Sequence, residues 1–191
     1  NESNHQMVEL FNNYEIDKIG LPSDRYYKSD FFDPQMPDYK LYVFMNTLCV
    51  SDEERAAIHR KLVKNHAVAL FMYASGIIKM DSSERLSAKH VGEMTGIQME
   101  MINEVYRGKF KINGECHPIT QNLDKGEIYG DFKRKMWANA SSFMGRVSSA
   151  EVQLYPLVCA DDPDAQVLAY FLDSEKPALA VKEMPDYTAV Y

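Results

Sequence analysis

No stretch of ~18 consecutive apolar residues, the length a helix needs to cross a bilayer, occurs in this chain. Cysteine is scarce: Cys49, Cys116 and Cys159 are an odd, widely spaced set. Such a set is no disulfide framework, and without a Cys-x-x-Cys pair it offers neither a zinc knuckle nor a redox couple. Basic charge is also in deficit, with 21 Lys and Arg against 28 Asp and Glu and a net charge of −7. A groove for nucleic acid needs a basic stripe, so nucleic acid is not an expected partner. The longest basic cluster, Lys133-Arg134-Lys135, reads as a solvated face. The five histidines, His5, His59, His66, His90 and His117, show neither His-x-His nor His-x-x-x-His spacing, and no metal site is expected. The start, Asn1-Glu2-Ser3-Asn4-His5, lacks the basic and apolar regions of a signal peptide. A mature secreted chain would lack them too, so a cytoplasmic location is favoured only slightly and secretion stays open. There is no internal repeat and no low-complexity tract.

What is present is a globular mixture, with 46% hydrophobic and 26% charged residues, which excludes disordered and collagen-like classes. The 191 residues suit a single domain. Met7, Leu10, Phe11 and Tyr14 recur at helical spacing within a helix expected over 5–19, stopped by Gly20 ahead of Leu21-Pro22. The aromatic stretch 25–32 reads as a short strand. Tyr39–Met45 is a convincing strand, apolar and aromatic as strands covered on both faces are. Ser51 and Glu54 then have capping-box spacing, and Asp52, Glu53 and Glu54 load a first helical turn with acid. Ala67–Tyr73 is a second buried strand, so strand, helix and strand form a βαβ unit with a parallel pair. Ser87 caps a short helix that Thr95-Gly96 ends. One or two strands are expected over 97–112, a turn at Asn113-Gly114, and a polar loop over 117–139. Three further strands are expected over 152–159, 166–172 and 178–182, the last two joined as a hairpin, with a final strand at 188–191.

The best place for chemistry is Tyr73-Ala74-Ser75-Gly76, at the carboxyl end of the second strand, where open α/β sheets carry their sites. A nucleophile elbow has the pattern Gly-x-nucleophile-x-Gly. Counting back from Gly76 puts Ala74 in the nucleophile slot and Met72 where the first glycine belongs. Ser75 is one place off, and a plain small-residue turn is the simpler reading. Cys116 next to His117 is no dyad, because sequence neighbours rarely face each other. The carboxylates Asp52, Glu53 and Glu54 suit a helix start. Asp161-Asp162-Pro163-Asp164 is either a calcium loop or a turn, and the absence of an EF-hand ligand ladder favours the turn. Met94, Met99 and Met101 serve either as core filling or as an adaptable contact surface. Tyr26, Tyr27, Phe31 and Phe32 are candidates for stacking on a sugar ring.

Three stretches carry a family resemblance. They are Tyr39–Asn46 with Val50–Ile58, then Ala69–Ile77, then Ala165–Tyr170 with Lys176–Ala180 and Ala189–Tyr191. Together they resemble the glutamine-amidotransferase-like domain that follows the catalytic barrel in family-42 β-galactosidases and related glycoside hydrolases, where it is called the trimerisation domain. The resemblance runs in order over roughly residues 1 to 191. It implies an α/β fold with a flavodoxin-like, class I glutamine-amidotransferase-like, mostly parallel sheet flanked by helices, and an antiparallel extension in the C-terminal half. It implies a non-catalytic accessory or oligomerisation role, with other domains or subunits of a larger parent protein as partners, homo-oligomer formation, no cofactor and no membrane. Amidotransferases of this fold use an elbow cysteine and a late His-x-Glu pair. Here Ala74, Ser75 and Gly76 form a degenerate elbow and no His-x-Glu occurs. The family's opening strand and closing helix are not visible, so the chain reads as a fragment. The alternative is a small-ligand or carbohydrate-binding α/β module; an enzyme acting through Ser75, Cys49 or Cys116 is the third reading.

Overall fold

The computed structural model describes residues 16–130, 153–172 and 174–191. Most of the helix expected over 5–19 lies outside these residues, as does the basic cluster at 133–135; of the former, Ile16–Ile19 is a short 3-10 helix. The α/β class holds. A six-stranded sheet runs in the order β1 (Leu41–Phe44), β2 (Val68–Phe71), β10 (Thr188–Val190), β9 (Pro177–Glu183), β8 (Gln166–Phe171), β5 (Phe110–Ile112). β1, β2 and β10 are mutually parallel, with Leu41 opposite Val68 and Thr188 opposite Val68 on the other side. The remaining three pairings, β10 with β9, β9 with β8 and β8 with β5, are antiparallel. The sheet is therefore mixed rather than mostly parallel. The short links from β8 to β9 and from β9 to β10 leave no room for a crossover and force the strands to turn back. The region expected to hold one or two strands holds three: β3 (Met99–Ile102), β4 (Tyr106–Arg107) and β5. β3 pairs with β7 (Leu157–Ala160), and the ribbon runs on as β4 with β6 (Gln153–Leu154), both antiparallel.

Helix α1 (Asp52–Asn65) starts as its sequence dictates. The Ser51 hydroxyl accepts the Glu54 N–H at 3.2 Å and the Glu54 carboxylate accepts the Ser51 N–H at 2.9 Å, a complete capping box. Such a cap stabilises a helix by about 1 kcal/mol. His66 closes it in the left-handed conformation, φ 45°. The α1 side chains Ile58 and Leu62 are fully buried in one cluster with Tyr42, Phe44, Ala69, Phe71, Ala180 and Ala189. Three alanines in the floor of the sheet let the helix approach closely, and the aromatics fill the remainder, Phe44 stacking on Phe71 at 4.9 Å. Helix α2 (Ala88–Thr95) is capped by Ser87 and stopped by Gly96 at φ 79°. Its Val91 packs with Ala74, Ile77 and Val158.

The stretch 25–32 is not a strand. Lys28–Phe32 forms a 3-10 helix whose start is fixed by the Asp30 carboxylate accepting the Tyr27 N–H at 2.7 Å. Phe31 turns inward against Tyr42 and Phe44, with ring centroids 5.8 and 5.9 Å away. Lys28 reaches across to the Cys49 carbonyl and to Glu54. The aromatic content marked burial of one ring, not a pleated ribbon.

Candidate functional site

The three parallel strands end together, at Phe44, Phe71 and Val190. The segment after β2 turns through a run of left-handed residues. Tyr73 and Ala74 take positive φ of 24° and 52°, and Gly76 follows at 83°. Neighbouring Asn46, after β1, also has positive φ, at 52°. A left-handed alanine carries a conformational cost and persists only where its surroundings hold it. They do so here. The Ala74 N–H donates to the Tyr191 hydroxyl at 3.1 Å, and that hydroxyl donates on to the Val158 carbonyl at 3.0 Å. The Tyr73 hydroxyl donates to the Pro156 carbonyl at 2.6 Å. Gly76 N–H reaches the Thr47 carbonyl at 2.8 Å, stitching this bend to the loop after β1. Burial pushes the phenols of Tyr73 and Tyr191 above the ordinary tyrosine range, so both stay neutral donors.

The bend has an elbow's position and left-handed turn but lacks its chemistry. Ala74 presents a methyl group, 1% exposed. Ser75 is fully buried, accepts from the Thr47 hydroxyl at 2.9 Å and donates to the Met72 carbonyl at 3.1 Å. A serine with its proton on a carbonyl and no imidazole among its described partners is a strut. The nearest turn of α2 holds His90, but its Nδ1 lies 3.3 Å from the Ile77 carbonyl, to which it donates.

The other candidates disperse. Cys49 is half-buried with its carbonyl bound by Lys28, and Cys116 is exposed in a loop. His59 Nε2 lies 2.8 Å from the Met94 carbonyl, and His117 Nδ1 accepts the Ile119 N–H at 3.2 Å. Asp52 is paired with Arg55 and Lys79, and Arg55 continues to Glu93, tying α1 to α2. Among the described residues no group of three or more His, Cys, Asp or Glu is placed to hold a metal ion. Asp162 is instead a structural anchor. Its carboxylate accepts the Gln98 N–H at 2.8 Å, the Asp164 N–H at 2.9 Å and the Lys182 ammonium at 2.7 Å. Met94 is fully buried core, while Met99 and Met101 are half-buried against it and its neighbours. Of the aromatic quartet, Phe31 is half-buried against the core, whereas Tyr27 is 82% and Phe32 51% exposed. Tyr26 bonds the Tyr39 hydroxyl at 2.7 Å, which donates to Asp24 at 2.6 Å.

One constellation was invisible in sequence. Cys159 on β7, Glu100 on β3 and Lys176 before β9 meet at a single oxygen, Glu100 Oε1, with the thiol at 3.4 Å and the ammonium at 2.6 Å. Cys159 is fully buried; burial, together with the adjacent carboxylate, pushes its thiol up to about 12. The thiolate is the nucleophile, so this group is inert at neutral pH. The antiparallel pairing of Glu100 with Cys159 sets thiol and carboxylate side by side, Lys176 reaches in from the start of β9, and no local spacing announces it.

No protein-family profile matches the chain, and neither does any curated protein.

Proposed function

We propose that this chain is a non-catalytic accessory and assembly domain of a β-galactosidase-like glycoside hydrolase, with a flavodoxin-like, glutamine-amidotransferase-like architecture. The observation that carries this reading is the bend at Tyr73-Ala74-Ser75-Gly76. It keeps the left-handed turn at the carboxyl end of a parallel strand, yet holds a methyl group in the nucleophile position, and its Ala74 N–H is occupied by Tyr191. The βαβ unit from β1 through α1 to β2 supports the architecture. A second reading, a carbohydrate-binding module, is favoured by the exposure of Tyr27 and Phe32.

The expected outcome is catalytic silence. The purified protein should hydrolyse no glutamine, ester or β-galactoside above background, a fluorophosphonate should leave Ser75 unlabelled, and iodoacetamide should modify Cys116 well before Cys159. Turnover that disappears in Ser75→Ala or Cys49→Ala would overturn the reading. Calorimetry with galactosides and oligosaccharides separates the two readings: heat of binding abolished by Tyr27→Ala selects the carbohydrate module.

A further inference from the structure

We propose that Asn113-Gly114 is a self-modifying site, at which the folded chain converts its own Asn113 amide to a carboxylate through a succinimide. The inference is independent of the assembly role. This is the one Asn-Gly pair in the sequence. It follows β5 directly, with Gly114 exposed in a bend. The reaction needs the nitrogen of the following residue to reach the asparagine Cγ, and glycine alone leaves that approach free of a Cβ. The bend is open as well, since a Cβ built at Gly114 would meet nothing within 4 Å.

Three observations set this pair apart from an ordinary open turn. First, the side chain is folded forward. Asn113 Oδ1 accepts the Glu115 N–H at 2.8 Å, an Asx turn that carries Cγ toward the intervening Gly114 nitrogen. Asn113 Nδ2 donates to the Val167 carbonyl, so both ends of the amide are held. Second, the nucleophile is unengaged: the Gly114 N–H donates to no group among the described residues. Third, positive groups flank both places where negative charge develops. The Glu115 N–H lies on Oδ1, which carries the charge of the tetrahedral intermediate. The Lys125 ammonium lies 2.7 Å from the Gly114 carbonyl oxygen, on the same residue as the nitrogen that gives up its proton. Donors already in place lower such a barrier. In the reaction a bond forms from the Gly114 nitrogen to Cγ and the bond from Cγ to Nδ2 breaks. Nδ2 leaves as ammonia, with the proton that the Gly114 nitrogen loses. Water then opens the ring at either carbonyl, giving aspartate or isoaspartate. The new carboxylate has no hydrogen to donate to the Val167 carbonyl. Isoaspartate also adds a carbon to the main chain beside the Asn113 N–H, which donates to the Leu168 carbonyl at 2.8 Å. Conversion therefore loosens the end of β5 from β8.

Peptide mapping by mass spectrometry tests the site on the intact chain held at neutral pH, with an isoaspartyl methyltransferase and a labelled methyl donor as the second readout. Asn113 should convert ahead of every other asparagine, to aspartate and isoaspartate together, and its amide should exchange faster in the converted chain. Gly114→Ala should bring Asn113 down to the rate of the other asparagines. Lys125→Gln should slow conversion up to about fivefold in the folded chain. In urea, where Lys125 no longer sits on Gly114, the same substitution should change nothing. An Asn113 that stays intact while other asparagines convert overturns the proposal. So does a rate that Gly114→Ala leaves unchanged, or one that Lys125→Gln alters equally, or not at all, in the folded and unfolded chains.

Discussion

Gly76→Ala is expected to destabilise the protein by about 3 kcal/mol. Two independent effects act at this position. The residue has φ 83°, where an added side chain is strained by roughly 1 kcal/mol or more. A Cβ there would also sit 2.8 Å from the Met94 Cβ and 3.3 Å from the His90 carbonyl. The first of these is the root of a side chain on α2, not its flexible end, so α2 itself has to move. Overpacking of this kind adds about 1–3 kcal/mol. Gly114 is the control, since a Cβ there meets nothing within 4 Å and its φ is not left-handed; Gly114→Ala should stay within about 0.5 kcal/mol of wild type. Urea denaturation of the three proteins measures this directly. Equal midpoints for Gly76→Ala and wild type would mean that α2 does not pack on the bend.

Asp162→Ala should also cost about 3 kcal/mol, with a pH signature of its own. The Asp162 side chain is only 4% exposed and its Lys182 partner 20%. Burial works against its charge, but the Lys182 ammonium and the N–H groups of Gln98 and Asp164 outweigh it and hold the carboxyl below the usual carboxylate range. Removing the side chain leaves a half-buried cation and strips two N–H groups of their acceptor, loosening the start of β3 from β9. The sign of the pH dependence follows from the lowered pKa. A carboxyl that is more acidic folded than unfolded contributes its full stability above its unfolded pKa, near 4, and loses it as pH falls through the folded value. Wild-type stability should thus decline below about pH 4, and Asp162→Asn should show a shallower decline over that range. Chemical denaturation at pH 7 and at pH 3 tests both statements; parallel acid limbs for wild type and Asp162→Asn would refute the anchoring role.

The legible parts of this fold were those set by local chemistry. Tyr39–Met45 and Ala67–Tyr73 are apolar runs of strand length, and they pair in parallel as β1 and β2. Ser51 and Glu54 announced their capping box by spacing alone. The less legible parts depend on distant residues. Nothing near Thr188 shows that it slots between β2 and β9, and the mixed sheet follows from that placement. At the bend, the glycine was visible and the left-handed Tyr73 and Ala74 were not, because neither residue type signals positive φ. Asp162 read as a turn residue in an acidic cluster, and its partners Gln98 and Lys182 come from elsewhere in the chain.

The position of β10 also bears on how the molecule reaches its native state. β2 takes Thr188–Val190 along its inner side, about 120 positions further along the chain, while its other neighbour, β1, is fewer than 30 positions away. During synthesis β1, α1 and β2 emerge as a local unit long before β10 exists. Through that interval the inner side of β2 lacks its native partner. Closing so long a loop is entropically demanding and comes late, which slows folding relative to a chain whose neighbours in space are neighbours in sequence. Until β10 is made, the nascent β1–α1–β2 unit thus carries an unpaired strand side that is open to wrong pairing.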